Sequence, residues 1–310
     1  MQSPANHAPS TVNWLGSLSK ELLPPLQTIT QNVAAKLLED FRQTRSAIQK
    51  DDGSLVTASD QWADAYLKKA LHEAFPNFGI LTEESAQTLP PDTYTWVVDP
   101  LDGTTNFAQG IPLWAISIGL LYQGTPVFGY LVMPTLGQTC YGWWNPDNPL
   151  DCRAMLNDQP LLHLSQISSP TMAAKGLGNF FFSACSRSLA AMGRSEFPIK
   201  LRMLGVASYN FLTVALGATI GAVEATPKIW DIAGVYPILR AVGAHWLPLS
   251  QPHSETQSSE ATAATETTKS IFPLAIGHDY KSTNFPTLVI SHQDLLPITM
   301  PWVEPLIKRT

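Results

Sequence analysis

Charge is scarce in this chain. Only 14% of its residues are Asp, Glu, Lys or Arg, against about 25% in an ordinary soluble domain. Uncharged polar groups, proline or a second subunit must cover much of the surface, which mildly favours a homo-oligomer. Positive charge is the scarcer sign: 19 Lys and Arg stand against 25 Asp and Glu, and basic residues cluster no further than pairs such as Lys68-Lys69. No electrostatic footprint for a nucleic acid results, so none is expected as a partner. Cysteine is scarce too. Cys140, Cys152 and Cys185 are odd in number and lack C-x-x-C spacing, which excludes a disulfide framework and a thiolate zinc site and points to the reducing cytoplasm. Apolar runs stay short of the roughly 18 residues of a membrane span, so no membrane partner is expected. Met1 to Ser10 lacks the basic start and apolar core of a secretory signal. The seven histidines form no metal pattern.

What is present is a globular composition. An apolar content of 45% over 310 residues allows one large domain or two smaller ones sharing a core. Helical spacing from Val12 to about Gln49 predicts two helices broken at Pro24-Pro25. A short strand follows at Leu55-Val56-Thr57, then a helix from about Asp60 to Ala74 capped by Ser59 or Asp60. Strands are expected at Phe78 to Leu81 and Tyr94 to Val98, then hairpin-like runs at Ala115 to Tyr122 and Pro126 to Met133. A second half from His163 mixes strands near Ala173, Lys200 and Ala222 with helices from Ser208 to Gly217 and from Asp231 to Val242. Helices, hairpins, helices and strands in that order predict an α/β protein of the α+β type, with an N-terminal subdomain over 1–162 and a C-terminal one over 163–310. Gln251 to Ser270 is a Ser/Thr/Ala/Glu tract with almost nothing to bury, and reads as a mobile surface insertion.

The chemistry gathers in acids. Glu83, Glu84, Asp99, Asp102 and Asp231 each follow an apolar element, and hard cations such as Mg²⁺ take oxygen ligands of this kind. Two readings stand side by side: Asp99-Pro100-Leu101-Asp102-Gly103 is also a good β-turn, Glu83-Glu84 a good solvated pair, and Asp231 a good helix cap. The continuation Gly103-Thr104-Thr105-Asn106-Phe107 favours the site, because small residues at a helix start expose N–H groups to phosphate.

Three blocks carry a further message: Thr82-Glu83-Glu84-Ser85, the run from Asp99 to Phe107, and Trp230-Asp231-Ile232-Ala233-Gly234 continuing to Ala241-Val242-Gly243-Ala244, with Leu55 to Asp60 as a weaker fourth. In these the chain resembles the inositol monophosphatase family of Mg²⁺-dependent, lithium-sensitive phosphatases. The resemblance implies a layered αβαβα sugar-phosphatase fold with two subdomains, usually a homodimer. It implies one Mg²⁺ on Glu83, Asp99 and the Leu101 carbonyl, and a second on Asp99, Asp102 and Asp231. A weaker third would be helped by Glu83, with Glu84 supporting Glu83 from behind. Asp60 and Thr104 match a pair that orients the attacking water, and the Gly103 and Thr104 amides match phosphate donors. Substrate choice is expected from the loop holding Ala207 and from Glu224, which matches a contact to sugar hydroxyls. Lys228 falls where inositol-using relatives commonly carry His.

The implied activity is hydrolysis of a small polyol or sugar monophosphate by a metal-activated water, inositol 1-phosphate being the leading substrate. Histidinol phosphate, fructose 1,6-bisphosphate and 3′-phosphoadenosine 5′-phosphate are the alternatives within the fold. A catalytically weak regulator that binds a metabolite is the alternative outside it.

Overall fold

The computed structural model describes residues 14–43, 47–49, 55–148, 150–172, 176–192, 197–249 and 270–307. The first layer is a helix pair, α1 (Trp14–Phe41) and α2 (Ala58–Ala74), with a small hairpin of β1 (Ala47–Gln49) and β2 (Leu55–Thr57) between them in sequence. The second is a seven-stranded sheet in chain order: β3 (Gly79–Thr82), β4 (Tyr94–Asp102), β5 (Ala115–Tyr122), β6 (Thr125–Met133), β7 (Gln138–Trp143), β8 (Arg153–Leu156) and β9 (Gln159–Pro160). Only the β3–β4 pair is parallel; the later neighbours are antiparallel hairpins, as the turn-separated apolar runs require. The short helix α3 (Thr104–Gln109) leaves the end of β4.

The second sheet comes from the C-terminal half, in the order β11 (Lys200–Arg202), β10 (Phe181–Ala184), β12 (Gly221–Glu224), β14 (Thr287–Ile290), β13 (His245–Pro248). Helix α4 (Ser186–Ala191) and helix α8 (Leu296–Ile307) share the core on its outer face. Between the sheets lie α5 (Ala207–Ala215), α6 (Ile229–Ala233) and α7 (Tyr236–Ala241). The result is the expected five-layer αβαβα sandwich. The N-terminal sheet runs out at Pro160, close to the expected division at 162, yet α6 and α7 pack onto that sheet from the other half.

Three local expectations need correction. Pro24 and Pro25 do not break α1, which runs unbroken through them. Leu22, Leu26, Ile29, Val33 and Leu37 form a buried stripe at helical spacing on both sides of the prolines, and packing of that stripe on the sheet outweighs the lost hydrogen bonds. The cap of α2 is Thr57, not Ser59 or Asp60. Asp60 is its capping-box partner, accepting the Thr57 N–H at 2.8 Å. The expected helix from Asp231 to Val242 is two helices, with Gly234 at the end of the first and Pro237 near the start of the second. The strand expected near Ala173 and nearly all of the Gln251 to Ser270 tract lie outside the described residues.

Two glycines set how close α6 and α7 come to the sheet. A Cβ on Gly119 would lie 2.5 Å from the Ala233 carbonyl carbon, and one on Gly129 only 1.8 Å from the Gly234 oxygen. Any side chain there would push the α6–α7 turn outward, and Asp231 with it.

Candidate active site

Alternation along a strand puts residues three apart on opposite faces, so Asp99 and Asp102 of a regular β4 could not converge. The ladder shows why they do. Asp99 pairs with Ser117 and Asp102 with Ala115, so three steps on β4 match two on β5. The extra residue is a bulge, and Pro100, which has no N–H to donate to the ladder, lies inside it. The Leu101 N–H turns to Asp99 Oδ1 at 3.0 Å. Residue α6 Asp231, brought in by the close glycine packing, completes a trio whose carboxylate oxygens lie within 4.8 Å of one another.

Asp99 and Asp102 are buried and Asp231 is half-buried. Burial pushes the carboxyls of all three up from the ordinary range. For Asp99 the neighbouring charges of Glu83, Asp102 and Asp231 add to the rise, and for Asp231 those of Asp102 and Glu83. Hydrogen bonds oppose it: Asp231 Oδ2 accepts the Lys228 N–H at 2.7 Å, and Asp102 accepts the N–H of Ala207 at 3.1 Å and the N–H and hydroxyl of Ser208 at 2.7 and 2.5 Å. Three anions crowded out of water are stable only with protons or a cation among them. Hard carboxylate oxygens at this spacing fit Mg²⁺ by chemistry.

Glu83 follows β3, its N–H donating to the Val98 carbonyl at 3.1 Å and its carbonyl accepting from the Gln87 side chain. It lies outside the tight trio but near enough for its charge to raise Asp99 and Asp231. Glu84, the next residue, is half-buried. On the other side, the Thr104 hydroxyl lies 2.7 Å from Asp60 Oδ1 and 3.1 Å from the Leu101 carbonyl, while Asp60 Oδ2 is held by the N–H and hydroxyl of Thr57. The capping box of α2 thus fixes the acid that Thr104 leans on. Gly103 precedes α3 with φ +94°, and a Cβ there would meet Val206 at 2.9 Å. Asn106 then ties α3 across to the other half, donating to the Leu113 and Leu204 carbonyls at 2.9 and 2.8 Å.

Glu224 ends β12 and is buried, its Oε1 accepting from Asn210 Nδ2 at 2.5 Å. Burial raises its carboxyl well above the ordinary range, Cys185 adds to the rise, and the charge of Asp102 reaches it too. The Ala207 N–H, in the loop expected to set substrate choice, is engaged by Asp102, and Lys228, half-buried, precedes α6 as its N-cap. Sequence reasoning named Ser208 only within the loop of Gly205, Val206 and Ala207 expected to set substrate choice, and missed Asn210 and Cys185. A serine at a helix start carries a weak signal, and the other two carry none, because their partners are distant in sequence.

A family model described as the inositol monophosphatase family matches residues 19–278. The chain belongs to that family. As a member of the inositol monophosphatase family it is a hydrolase of phosphate monoesters. An inositol-1-monophosphatase of Mesorhizobium japonicum is 30% identical over 234 residues, covering 72% of this chain and 83% of its own. A histidinol-phosphatase of Mycobacterium tuberculosis is 28% identical over 206 residues, covering 63% and 74%. Among solved structures, an IMPase/NADP phosphatase complexed with Mg²⁺ and phosphate aligns over 95% of each chain with a TM-score of 0.65 at 18% identity, a likeness of fold. No helix among the described residues is long and apolar enough to cross a membrane.

Proposed function

We propose that the chain hydrolyses a small polyol or sugar monophosphate, inositol 1-phosphate first, with Mg²⁺ as cofactor. The observation that carries this reading is the buried convergence of Asp99, Asp102 and Asp231 beside the Thr104–Asp60 pair. Mg²⁺ held by Glu83, Asp99, the Leu101 carbonyl, Asp102 and Asp231 supplies the positive charge that acidifies water and offsets charge on the phosphoryl group. The protein's part is placement. Thr104 donates to Asp60, so its oxygen lone pairs face outward to accept a hydrogen from the attacking water. Glu83 stands as the base for that water's proton, with Glu84 behind it. The Gly103 and Thr104 amides, at the start of α3, are placed to receive phosphate oxygens.

Glu224 supplies a buried carboxylate to accept hydrogen bonds from substrate hydroxyls, which favours a polyol leaving group. Ala207 and Lys228 are assigned to substrate binding with it, where Lys228 suits a further anionic group. A homodimer in the reducing cytoplasm, sensitive to Li⁺, completes the proposal, with subdomains meeting near residue 162. A second reading, histidinol phosphate, is favoured by the mycobacterial relative named for that activity.

Phosphate release from inositol 1-phosphate, histidinol phosphate, fructose 1,6-bisphosphate and 3′-phosphoadenosine 5′-phosphate, with Mg²⁺ and with added Li⁺, tests it. Mg²⁺-dependent, Li⁺-inhibited release fastest from inositol 1-phosphate is expected. Mg²⁺ binding with no release from any of the four would instead support a regulator.

A further inference from the structure

Helix α5 touches both acids that matter. Val206, at its N-cap, has no side-chain oxygen to offer, and the carboxylate of Asp102 takes the capping role from the other half of the chain, holding the first two N–H groups and the Ser208 hydroxyl. Two residues further, a rise of roughly 3 Å, Asn210 extends its Nδ2 to Glu224 Oε1 at 2.5 Å. Asn210 is 1% exposed and Glu224 4%.

The amide is costly where it stands. Its Oδ1 is buried with no hydrogen-bond partner among the described residues, a loss that a leucine of similar size would avoid. Helix packing alone therefore does not account for asparagine. A carboxylate that must present lone pairs to a hydroxyl needs a fixed orientation, and one oxygen clamped by an amide provides it. Cys185, at the N-cap of α4, is near enough to help raise the same carboxyl.

We propose that Asn210 is the positioning residue for Glu224, so that one turn of α5 sets the distance between the metal-binding acid Asp102 and the hydroxyl-binding acid Glu224. The inference rests on the reading of Glu224 as a contact to substrate hydroxyls. It makes Asn210 a determinant of polyol selectivity that acts without touching the reacting phosphate.

The test compares Asn210→Ala, Asn210→Leu, Glu224→Ala and the Asn210→Ala/Glu224→Ala double variant on two substrates. One is inositol 1-phosphate, and the other is p-nitrophenyl phosphate, whose leaving group carries no hydroxyl to recognise. Loss of one charge-assisted hydrogen bond predicts that KM for inositol 1-phosphate rises about tenfold in both Asn210 variants, with kcat changed less than about twofold. In the Asn210 variants the Mg²⁺ concentration for half activation should stay at the wild-type value, and KM for p-nitrophenyl phosphate should change far less than KM for inositol 1-phosphate, which shows that the fold and metal site are intact. The double variant should be no worse than Glu224→Ala, because the two residues act as one unit. If Glu224→Ala raises KM and the Asn210 variants do not, the positioning role alone is overturned. If Glu224→Ala leaves KM unchanged, the hydroxyl contact fails and the inference falls with it. Equal losses on both substrates in the Asn210 variants would show a merely structural role and also overturn it.

Discussion

Asp99 and Asp102 make the most of the fewest atoms. Asp99 is stabilised by one short-range N–H from Leu101, while Asp102 draws on three donors from α5. Asp99 is thus less compensated by the protein itself than Asp102, and depends more on a cation. Asp99→Asn should abolish turnover at saturating Mg²⁺. The thermal midpoint in chelator should hold or rise, since an amide has no charge to bury. Phosphate-release assays and melting curves check both halves, and an unchanged rate would refute the assignment. At this scale the sequence was highly readable. The acids, glycine and threonines in the run from Asp99 to Phe107 read as a candidate site from residue type and spacing alone. That Ser208 holds Asp102 was not legible, because a hydrogen bond across 106 residues leaves no local pattern.

Elements place these residues through two devices, the β4 bulge at Pro100 and the close seating of α6–α7 on Gly119 and Gly129. The second is open to test. Gly129→Ala would put a methyl 1.8 Å from the Gly234 oxygen, so the turn must move. Overpacking of this kind costs about 1–3 kcal/mol. The denaturant midpoint should fall, and half activation should need more Mg²⁺, because Asp231 retreats with its helix. A variant with wild-type Mg²⁺ dependence would show that the turn does not set the acid's position. Strand positions in the N-terminal half followed from turn-bounded apolar runs, and Ala115 to Tyr122 was located to the residue. The unbroken α1 was not foreseen, since local proline chemistry predicts a break and only the sheet beneath supplies the burial that overrides it. The split of α6 from α7 was hidden for the same reason: Gly234 reads as tolerable within a helix until the sheet's glycines press against it.

At the scale of the whole molecule, the acids tie stability to pH. The folded state raises the carboxyls of Asp99, Asp102, Asp231 and Glu224, so it binds protons more tightly than the unfolded chain. Their contribution is greatest at low pH and is lost as pH climbs from the ordinary carboxylate range through the raised values. Asp294, held low by Ser169 and Thr171, acts in the opposite sense below its ordinary value of 3.8, and so does His245, held low by burial, up to about its ordinary value of 6.5, where the acids must outweigh it. The metal-free protein should therefore melt lower at pH 8 than at pH 6. Mg²⁺ at a hundredfold excess over its dissociation constant should restore about 2.7 kcal/mol, with protons released on binding. Scanning calorimetry at the two pH values, with and without Mg²⁺, checks this. A midpoint that rises with pH in the absence of metal would contradict the reading.

The sequence by itself determined the family's chemistry, the α/β class and the acids that carry charge, because these are properties of residue type and short spacing. The tertiary structure decided convergence. It took a bulge to turn Asp99 and Asp102 to one side, two bare glycines to let Asp231 approach, and α5 to fix Asp102 and Glu224 on one turn. Each depends on how one element seats against another, and the glycine seating of Asp231 and the hold of α5 on Asp102 join segments more than a hundred residues apart. Close packing decides such contacts, and composition and periodicity do not record it.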